Sequence, residues 1–226
     1  KEENFIKKDI IINGDFIEIS NLKFSYKEEN IFPKKNNKNY KIKLNQINLI
    51  YGESGSGKST LIKILIGLIK PKSMILKIKN KNYEGINSNL SKVASYIPQR
   101  VHLYPSTIVE NISLGDTKPN LNKIISCLKK SEIQEFSQKL SNSKNLTLSE
   151  DLLDISGGQI QRIGLARALY DDTPIIILDE TLSSVDDQNK SKIIKTLENL
   201  SKEDEKTFII ITHDKTLFKK NYNLIN

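Results

Sequence analysis

The stretch Gly52-Glu53-Ser54-Gly55-Ser56-Gly57-Lys58-Ser59-Thr60 governs what this chain can fold into. It fits the pattern G-x-x-x-x-G-K-[S/T], which has a physical meaning only between a strand and a helix. The flanks supply both. Ile47 and Leu49 alternate toward Gly52, while Leu61, Ile62, Leu65, Ile66 and Leu68 recur at helical spacing over Lys58 to Leu68. Glycines let the backbone curl until successive N–H groups point inward as an anion nest, and the helix N-terminus adds its dipole. In such a loop Lys58 reaches the β and γ phosphates of a nucleotide and the Ser59 hydroxyl can ligate Mg²⁺, with Gly52, Ser54, Gly55, Gly57 and Thr60 completing the cradle. A chance Gly/Ser-rich turn is the competing account, and the strand and helix on either side speak against it.

Composition bounds what surrounds this loop. The chain's 226 residues make one large domain or two small ones. A length of this order buries roughly two thirds of the unfolded surface, so neither a disulfide nor a structural metal is needed. Cys127 is the single cysteine and His102 and His213 are the two histidines, which excludes a disulfide framework and a His/Cys metal cluster and fits a reducing compartment. No run approaches the ~20 apolar residues of a membrane span; the most apolar, Leu61 to Ile69, is interrupted by Lys63, so the segment itself is expected to be soluble. The opening Lys1-Glu2-Glu3-Asn4 is no signal peptide, and without an initiator Met the chain reads as a segment of a longer protein. The formal charge of +8, from 35 Lys and Arg against 27 Asp and Glu, invites a nucleic-acid or membrane-surface partner. The lysines are spread along the chain, however, and the densest cluster, Lys34-Lys35-Asn36-Asn37-Lys38, lacks interleaved aromatics, so no nucleic acid is expected.

Ile17, Ile19, Leu22, Phe24, Ile42 and Leu44, followed by Ile47 and Leu49, alternate in a way that suggests an antiparallel layer. Val93 to Ile97, Ile175 to Leu178 and Phe208 to Ile211 are short apolar runs of the kind that fill a parallel sheet. Between them, from about Ser106 to Asp154, Ile108, Ile112, Ile124, Ile125, Leu128, Ile133, Phe136 and Leu140 fit helices separated by polar turns. The expected fold is α/β: a P-loop NTPase (RecA-like) core with a mixed or parallel sheet, an N-terminal antiparallel β subdomain and a helical insertion subdomain. The core takes residues 15–105 and 155–226 and the insertion 106–154, all within one domain spanning 1–226.

A second site feature ends the apolar strand Ile175-Ile176-Ile177-Leu178 in two carboxylates, Asp179 and Glu180. In an open α/β sheet that strand end faces the phosphate loop. Asp179 would hold Mg²⁺, directly or through water, and Glu180 would orient and polarise the attacking water, because phosphoryl transfer requires positioning more than covalent chemistry. Alone, an apolar strand ending in Asp-Glu is commonly just a strand end; beside the loop it becomes a site.

The residues Ile155-Ser156-Gly157-Gly158-Gln159-Ile160-Gln161-Arg162 carry the argument to a family. Physically, Ser156-Gly157-Gly158 ahead of a helix is another anion site. The stretch resembles the signature of ATP-binding cassette (ABC) proteins, usually L-S-G-G-Q, with Ile155 in place of Leu. Other cassette motifs follow in order. Gln99, in Ser95-Tyr96-Ile97-Pro98-Gln99, resembles the Q-loop; Ser183-Ser184-Val185-Asp186 resembles the D-loop; His213 resembles the switch histidine; Tyr26 resembles the aromatic that stacks on adenine, although Phe24 or Tyr40 could do so.

The resemblance covers nearly the whole chain and implies a single ABC nucleotide-binding domain whose helical part carries the signature at its end. It implies ATP and Mg²⁺ as ligands, with Ser59, Gln99 and Asp179 toward the metal or its water, and Glu180 and His213 as catalytic residues at the γ phosphate. It also implies that Ser156, Gly157, Gly158 and Gln159 are presented to the nucleotide of a partner subunit, so that two cassettes pair head to tail, as a homo- or heterodimer, over two ATP molecules.

Thr107-Ile108-Val109-Glu110-Asn111-Ile112 resembles the exporter pattern T-I-x-E-N-I. This implies a transmembrane domain fused upstream, a place at the cytoplasmic face of the membrane, and a coupling surface at Gln99 to Tyr104 and Thr147 to Asp154. The chain departs from type at Ser149 and Leu152, where exporters carry glycines, and at Thr181-Leu182 after Glu180; it ends at Asn226, where the family continues with further strand and helix. The reading is the ATPase motor of an exporter. A soluble ABC protein working on nucleic acid or ribosomes and a regulatory module without turnover are the alternatives. A P-loop kinase has no use for the second Gly-rich motif.

Overall fold

The computed structural model describes residues 10–26, 29–32, 39–53, 55–84, 89–142, 155–213 and 222–225. Two sheets are stacked, with helices on the outer face of the second. The antiparallel sheet comprises β1 (Phe16–Tyr26), β2 (Glu29–Phe32), β3 (Tyr40–Lys43), β5 (Ser73–Ile78) and β6 (Lys81–Glu84). The long β1 pairs with β2 and β3 and, through its other edge, with β5, which pairs with β6. The parallel sheet runs β10-β4-β9-β8-β7, from β10 (Asn223–Ile225), β4 (Ile47–Ile50), β9 (Thr207–Ile211), β8 (Ile175–Asp179) and β7 (Ala94–Ile97).

Because successive side chains of a strand point to opposite faces, the parallel sheet divides the apolar residues into two cores. Ile47, Leu49, Ile97, Ile176, Leu178, Phe208 and Ile210 face the helices α2 (Ile108–Ile112), α3 (Leu121–Lys130), α4 (Gln134–Asn142), α5 (Gly157–Asp171) and α6 (Asp187–Glu203). Ile50, Ile175, Ile177, Ile209 and Ile211 face α1 (Lys58–Leu65) and the antiparallel sheet, where they meet Ile17, Ile19, Ile42, Leu76 and Ile78. The apolar positions of the helical stretch, Ile108, Ile112, Ile124, Leu128, Ile133, Phe136 and Leu140, are all buried. Thr107 and Glu110 start α2 with a capping box.

The structure corrects the sequence reading in three places. β4 belongs to the parallel sheet, between β9 and β10, and not to the antiparallel layer. The strands β5 and β6 add to the expected antiparallel layer. And α1 stops at Leu65 rather than Leu68: Gly67 takes φ +75°, its N–H bonds Ile64 O at 3.0 Å, and the Leu68 N–H bonds Lys63 O at 2.8 Å, the two bonds of a Schellman close. Leu68 is left 67% exposed. The lysine cluster 34–38, Ser54 and the stretch 147–154 lie outside the described residues.

Asn48 joins the two sheets. Fully buried in β4, its amide donates to Lys43 O at 2.8 Å, Gln46 O at 3.2 Å and Phe208 O at 3.2 Å, and its oxygen accepts from Lys43 N at 2.8 Å and from Asn223 Nδ2 at 2.8 Å. Asn48→Leu removes every partner and strands buried backbone groups, each costing roughly 1–3 kcal/mol. The expected loss of stability is about 3 kcal/mol, read as a lower urea midpoint with the m-value unchanged.

Candidate nucleotide site

The phosphate loop lies between β4 and α1, as its motif requires. Gly57 caps α1 in the left-handed region at φ +90° and Gly55 is left-handed at +74°. Lys58 is buried, and its ammonium bridges back across the loop, donating to Gly52 O at 2.8 Å and Glu53 O at 2.9 Å. A cleft of about 300 Å³ opens over the loop, lined by residues 55–60 with Gln99, Glu180 and His213. The chain therefore brings four segments, far apart in sequence, to one cavity.

Glu180 is its focus. The backbone leaves β8 with Glu180 at φ +53°, a left-handed conformation that costs a non-glycine residue roughly 1–2 kcal/mol, and the Glu180 N–H is held by Ile211 O at 3.1 Å. Both carboxylate oxygens are engaged by residues from neighbouring strand ends. Gln99 Nε2 donates to Oε2 at 2.7 Å, and His213 Nε2 stands 2.7 Å from Oε1.

Asp179, one residue earlier, is 4% exposed. Its Oδ1 accepts from the Ser59 hydroxyl at 3.4 Å and its Oδ2 from the Tyr96 hydroxyl at 2.8 Å. Burial pushes the Asp179 carboxyl above its ordinary range, against the opposing pull of the Tyr96 and Ser59 hydrogen bonds; the Glu180 charge adds to the rise. Burial, then the hydrogen bond and charge of Asp179, pushes the Tyr96 hydroxyl well above its usual value, so it stays protonated as a donor.

The signature residues stand elsewhere. Ser156 caps α5, its hydroxyl accepting from Gln159 N at 3.2 Å while Gln159 Oε1 accepts from Ser156 N at 2.8 Å. A hydroxyl that accepts can still donate. Gln159 Nε2 also reaches the Glu135 carboxylate on α4. Among the described residues, none of Ser156, Gly157, Gly158 and Gln159 lines the phosphate-loop cleft. Ser156 and Gly157 are exposed, and a Cβ at Gly157 would meet nothing within 4 Å. Gly158 is packed closely, since a Cβ there would lie 3.1 Å from Ser184 O. The loop before α6 thus rests on the start of α5. Asp186 caps α6 by accepting from Asn189 N at 2.9 Å and Nδ2 at 2.7 Å, bonds that hold its carboxyl below the usual range.

Of the three aromatics considered for adenine, Phe24 is buried and Tyr40 packs against the antiparallel core, whereas Tyr26 is 49% exposed and meets Phe24 edge-on at 4.7 Å.

Two residues gained no role from the sequence. Tyr96 binds Asp179, as above. Gln161 on α5 donates to the backbone carbonyl of Gln99 at 2.6 Å, so the residue that touches Glu180 with its side chain is held by the signature helix through its backbone. Both lay inside motifs already quoted, but only strand register and helix packing show whom they meet.

The buried Asp179 and the partly exposed Glu180 at the end of β8, facing a glycine-rich loop that opens α1, mark a P-loop nucleotide-binding protein. Comparison with known proteins narrows this. The profile of the ABC transporter family matches residues 35–183. A probable ABC transporter ATP-binding/permease protein of Haemophilus influenzae is 36% identical over 198 residues, covering 87% of this chain and 35% of its own length. Among solved structures, a bacterial Atm1-family ABC exporter with ATP bound has the same fold, with TM-score 0.80 and 22% identity over 96% of this chain and 38% of that one. An ATP-binding cassette solved as a dimer in a post-hydrolysis state with ADP and Pi gives TM-score 0.70 and 31% identity over 89% of each chain. The chain belongs to the ABC transporter family, as an ATP-binding ATPase cassette. It spans about a third of the length of the curated relatives it first matches.

Proposed function

We infer that this cassette is the ATP-hydrolysing motor of a membrane exporter, working as a head-to-tail dimer with two composite sites. The observation that carries the reading is the convergence of Gln99 and His213 on the two oxygens of Glu180, in one cleft with residues 55–60, while the signature residues lie outside that cleft's lining and Ser156 and Gly157 are exposed. One chain supplies Lys58, Ser59 and the loop amides to the phosphates and Glu180 to the attacking water. Ser156, Gly157, Gly158 and Gln159 then serve the γ phosphate of the partner, through the α5 N-terminus and the Ser156 hydroxyl. Asp186 and its neighbours sit beside that surface, with Ser184 against Gly158. Tyr26 is assigned to stack on adenine, a reading supported by its exposure.

The donors suit magnesium. Ser59 and Asp179 are hard oxygen ligands 3.4 Å apart, and among the described residues no cluster of three His, Cys, Asp or Glu offers a complete metal site. That matches an ion that takes few protein oxygens and draws the rest from substrate phosphates and water. Bound there, it would neutralise charge developing on the phosphates. Gln99 would sense it, or the attacking water, and the Gln161 bond would pass the change to α5 and the helices packed on it.

The relatives named as ATP-binding/permease proteins support a membrane domain in the same polypeptide, with this cassette at the cytoplasmic face. Among the described residues, no helix is long and apolar enough to cross a membrane. The exposure of Tyr104, 58% at the end of the segment from Gln99, supports assigning that segment to contact with the membrane domain. The test is ATP turnover per chain across a wide range of protein concentration. A composite site requires specific activity to rise with concentration until dimers saturate; constant specific activity down to monomeric dilution would refute it.

A further inference from the structure

The Tyr96 hydroxyl donates to Asp179, and Tyr96 does not line the phosphate-loop cleft. Tyr96 stands on β7 directly beside Ile177 of β8, and Asp179 follows Ile177 by two residues. The period of a strand therefore puts Tyr96 and Asp179 on one face of the sheet, a pleat apart. Their contact divides Asp179 in two: Oδ2 is bound by Tyr96 at 2.8 Å, and Oδ1 is turned toward Ser59 at 3.4 Å.

We propose that Tyr96 is a positioning residue for the divalent-cation site, fixing the rotation of the Asp179 carboxylate so that Oδ1 faces Ser59 and the ion between them. This rests on Ser59 and Asp179 forming the magnesium site. The terminal torsion of an aspartate is broad and roughly two-fold, so an untethered carboxylate samples many orientations. A donor on the far oxygen removes that freedom. The donor is neutral, so it orients the carboxylate without competing for its charge, as an ammonium would. Asp179 is buried, so water has little room to take the hydroxyl's place. The Tyr96 ring packs partly against the core beneath the sheet, and Phe in its place keeps that packing while removing only the donor. Outer partners of metal ligands typically contribute 10–100-fold to metal affinity.

The experiment measures the affinity of the cassette for ATP by calorimetry in excess Mg²⁺ and in EDTA, for the wild type, Tyr96→Phe and Ser59→Ala. The ratio of the two affinities reports the coupling between metal and nucleotide without requiring turnover. Tyr96→Phe is expected to leave binding in EDTA unchanged and to lose about tenfold of the Mg²⁺ enhancement, with its thermal unfolding recorded beside it. Full enhancement in Tyr96→Phe, with loss in Ser59→Ala, would overturn the role of Tyr96 and leave the metal site standing. Full enhancement in both variants would overturn the metal site itself. Equal weakening of Tyr96→Phe in Mg²⁺ and in EDTA would reduce Tyr96 to a packing residue. Should Tyr96→Phe fail to fold, 4-aminophenylalanine incorporated at position 96 keeps the ring and a neutral donor at the same reach and is titrated in its place. It is expected to keep most of the enhancement, and a loss as complete as that of Ser59→Ala would overturn the proposal.

Discussion

Glu180→Gln is expected to abolish ATP turnover, by about 10³-fold, while ATP binding survives. The substitution keeps the size and shape of a half-buried side chain and the left-handed backbone that aims it. What it removes is the ability to take a proton from the attacking water. It also breaks a symmetry of acceptors: Glu180 accepts from Gln99 on one oxygen and faces His213 on the other, and an amide presents one acceptor and one donor to the same two partners. Neither change touches Lys58 or the loop amides, so ATP affinity should move by less than about threefold, under 1 kcal/mol. Binding without turnover should trap the ATP-bound dimer. The measurements are phosphate release and oligomer mass in ATP, for variant and wild type together. Turnover above about a tenth of wild type would remove Glu180 from the role of base.

The parts of the fold that were legible in the sequence are those where burial is complete on both faces. Ile175 to Leu178 and Phe208 to Ile211 are continuous apolar runs because one face meets the helices and the other meets α1 and the antiparallel sheet. β4 reads as antiparallel in the sequence because Asn48 interrupts its run and mimics the alternation of a half-exposed strand. The residue is fully buried, and its amide is satisfied by partners on β3, β9 and β10 and in the turn before β4. Local pattern cannot distinguish a polar residue facing water from one saturated by distant backbone. β5 did carry a period-two signal, since Met74, Leu76 and Ile78 are buried in alternation with the outward Lys77, but Ile75, apolar at an outward position, obscured it. The overlong α1 shows the converse: Leu68 kept the helical spacing after Gly67 had closed the helix.

The site was legible wherever a motif carries its own chemistry. Gly57, Lys58 and Ser59 are adjacent, and local backbone geometry builds their nest. The convergence of Gln99, Glu180 and His213 came from resemblance, because the three lie on separate strand ends and only the strand order β9-β8-β7 makes them neighbours. Tyr96 and Gln161 escaped for that reason. A tyrosine in a strand has no visible partner until the register sets it beside Ile177, and a glutamine in a helix has none until the helix packs against the strand end at Gln99.

Lys58→Met should weaken ATP binding about 100-fold, because a hydrogen-bonded charge of this kind contributes up to about 3 kcal/mol. Methionine preserves the length and apolar bulk of the stem, which is buried at the start of α1. It deletes a positive charge that the loop holds in place by two carbonyls, Gly52 O and Glu53 O, at the floor of the cleft. Those carbonyls lie on an exposed or half-exposed loop, where water can replace the ammonium, so the unfolding free energy should fall by less than about 1 kcal/mol. The two readouts therefore separate. Binding collapses and the fold persists if Lys58 serves the phosphates; both fall together if it chiefly staples the loop. Salt gives an independent check. Attraction between an ammonium and a polyphosphate is screened as ionic strength rises, so ATP affinity of the wild type should decline between low and high salt more steeply than that of Lys58→Met. Equal slopes, or a loss of ATP affinity below about threefold, would mean that the charge on Lys58 does not meet the nucleotide.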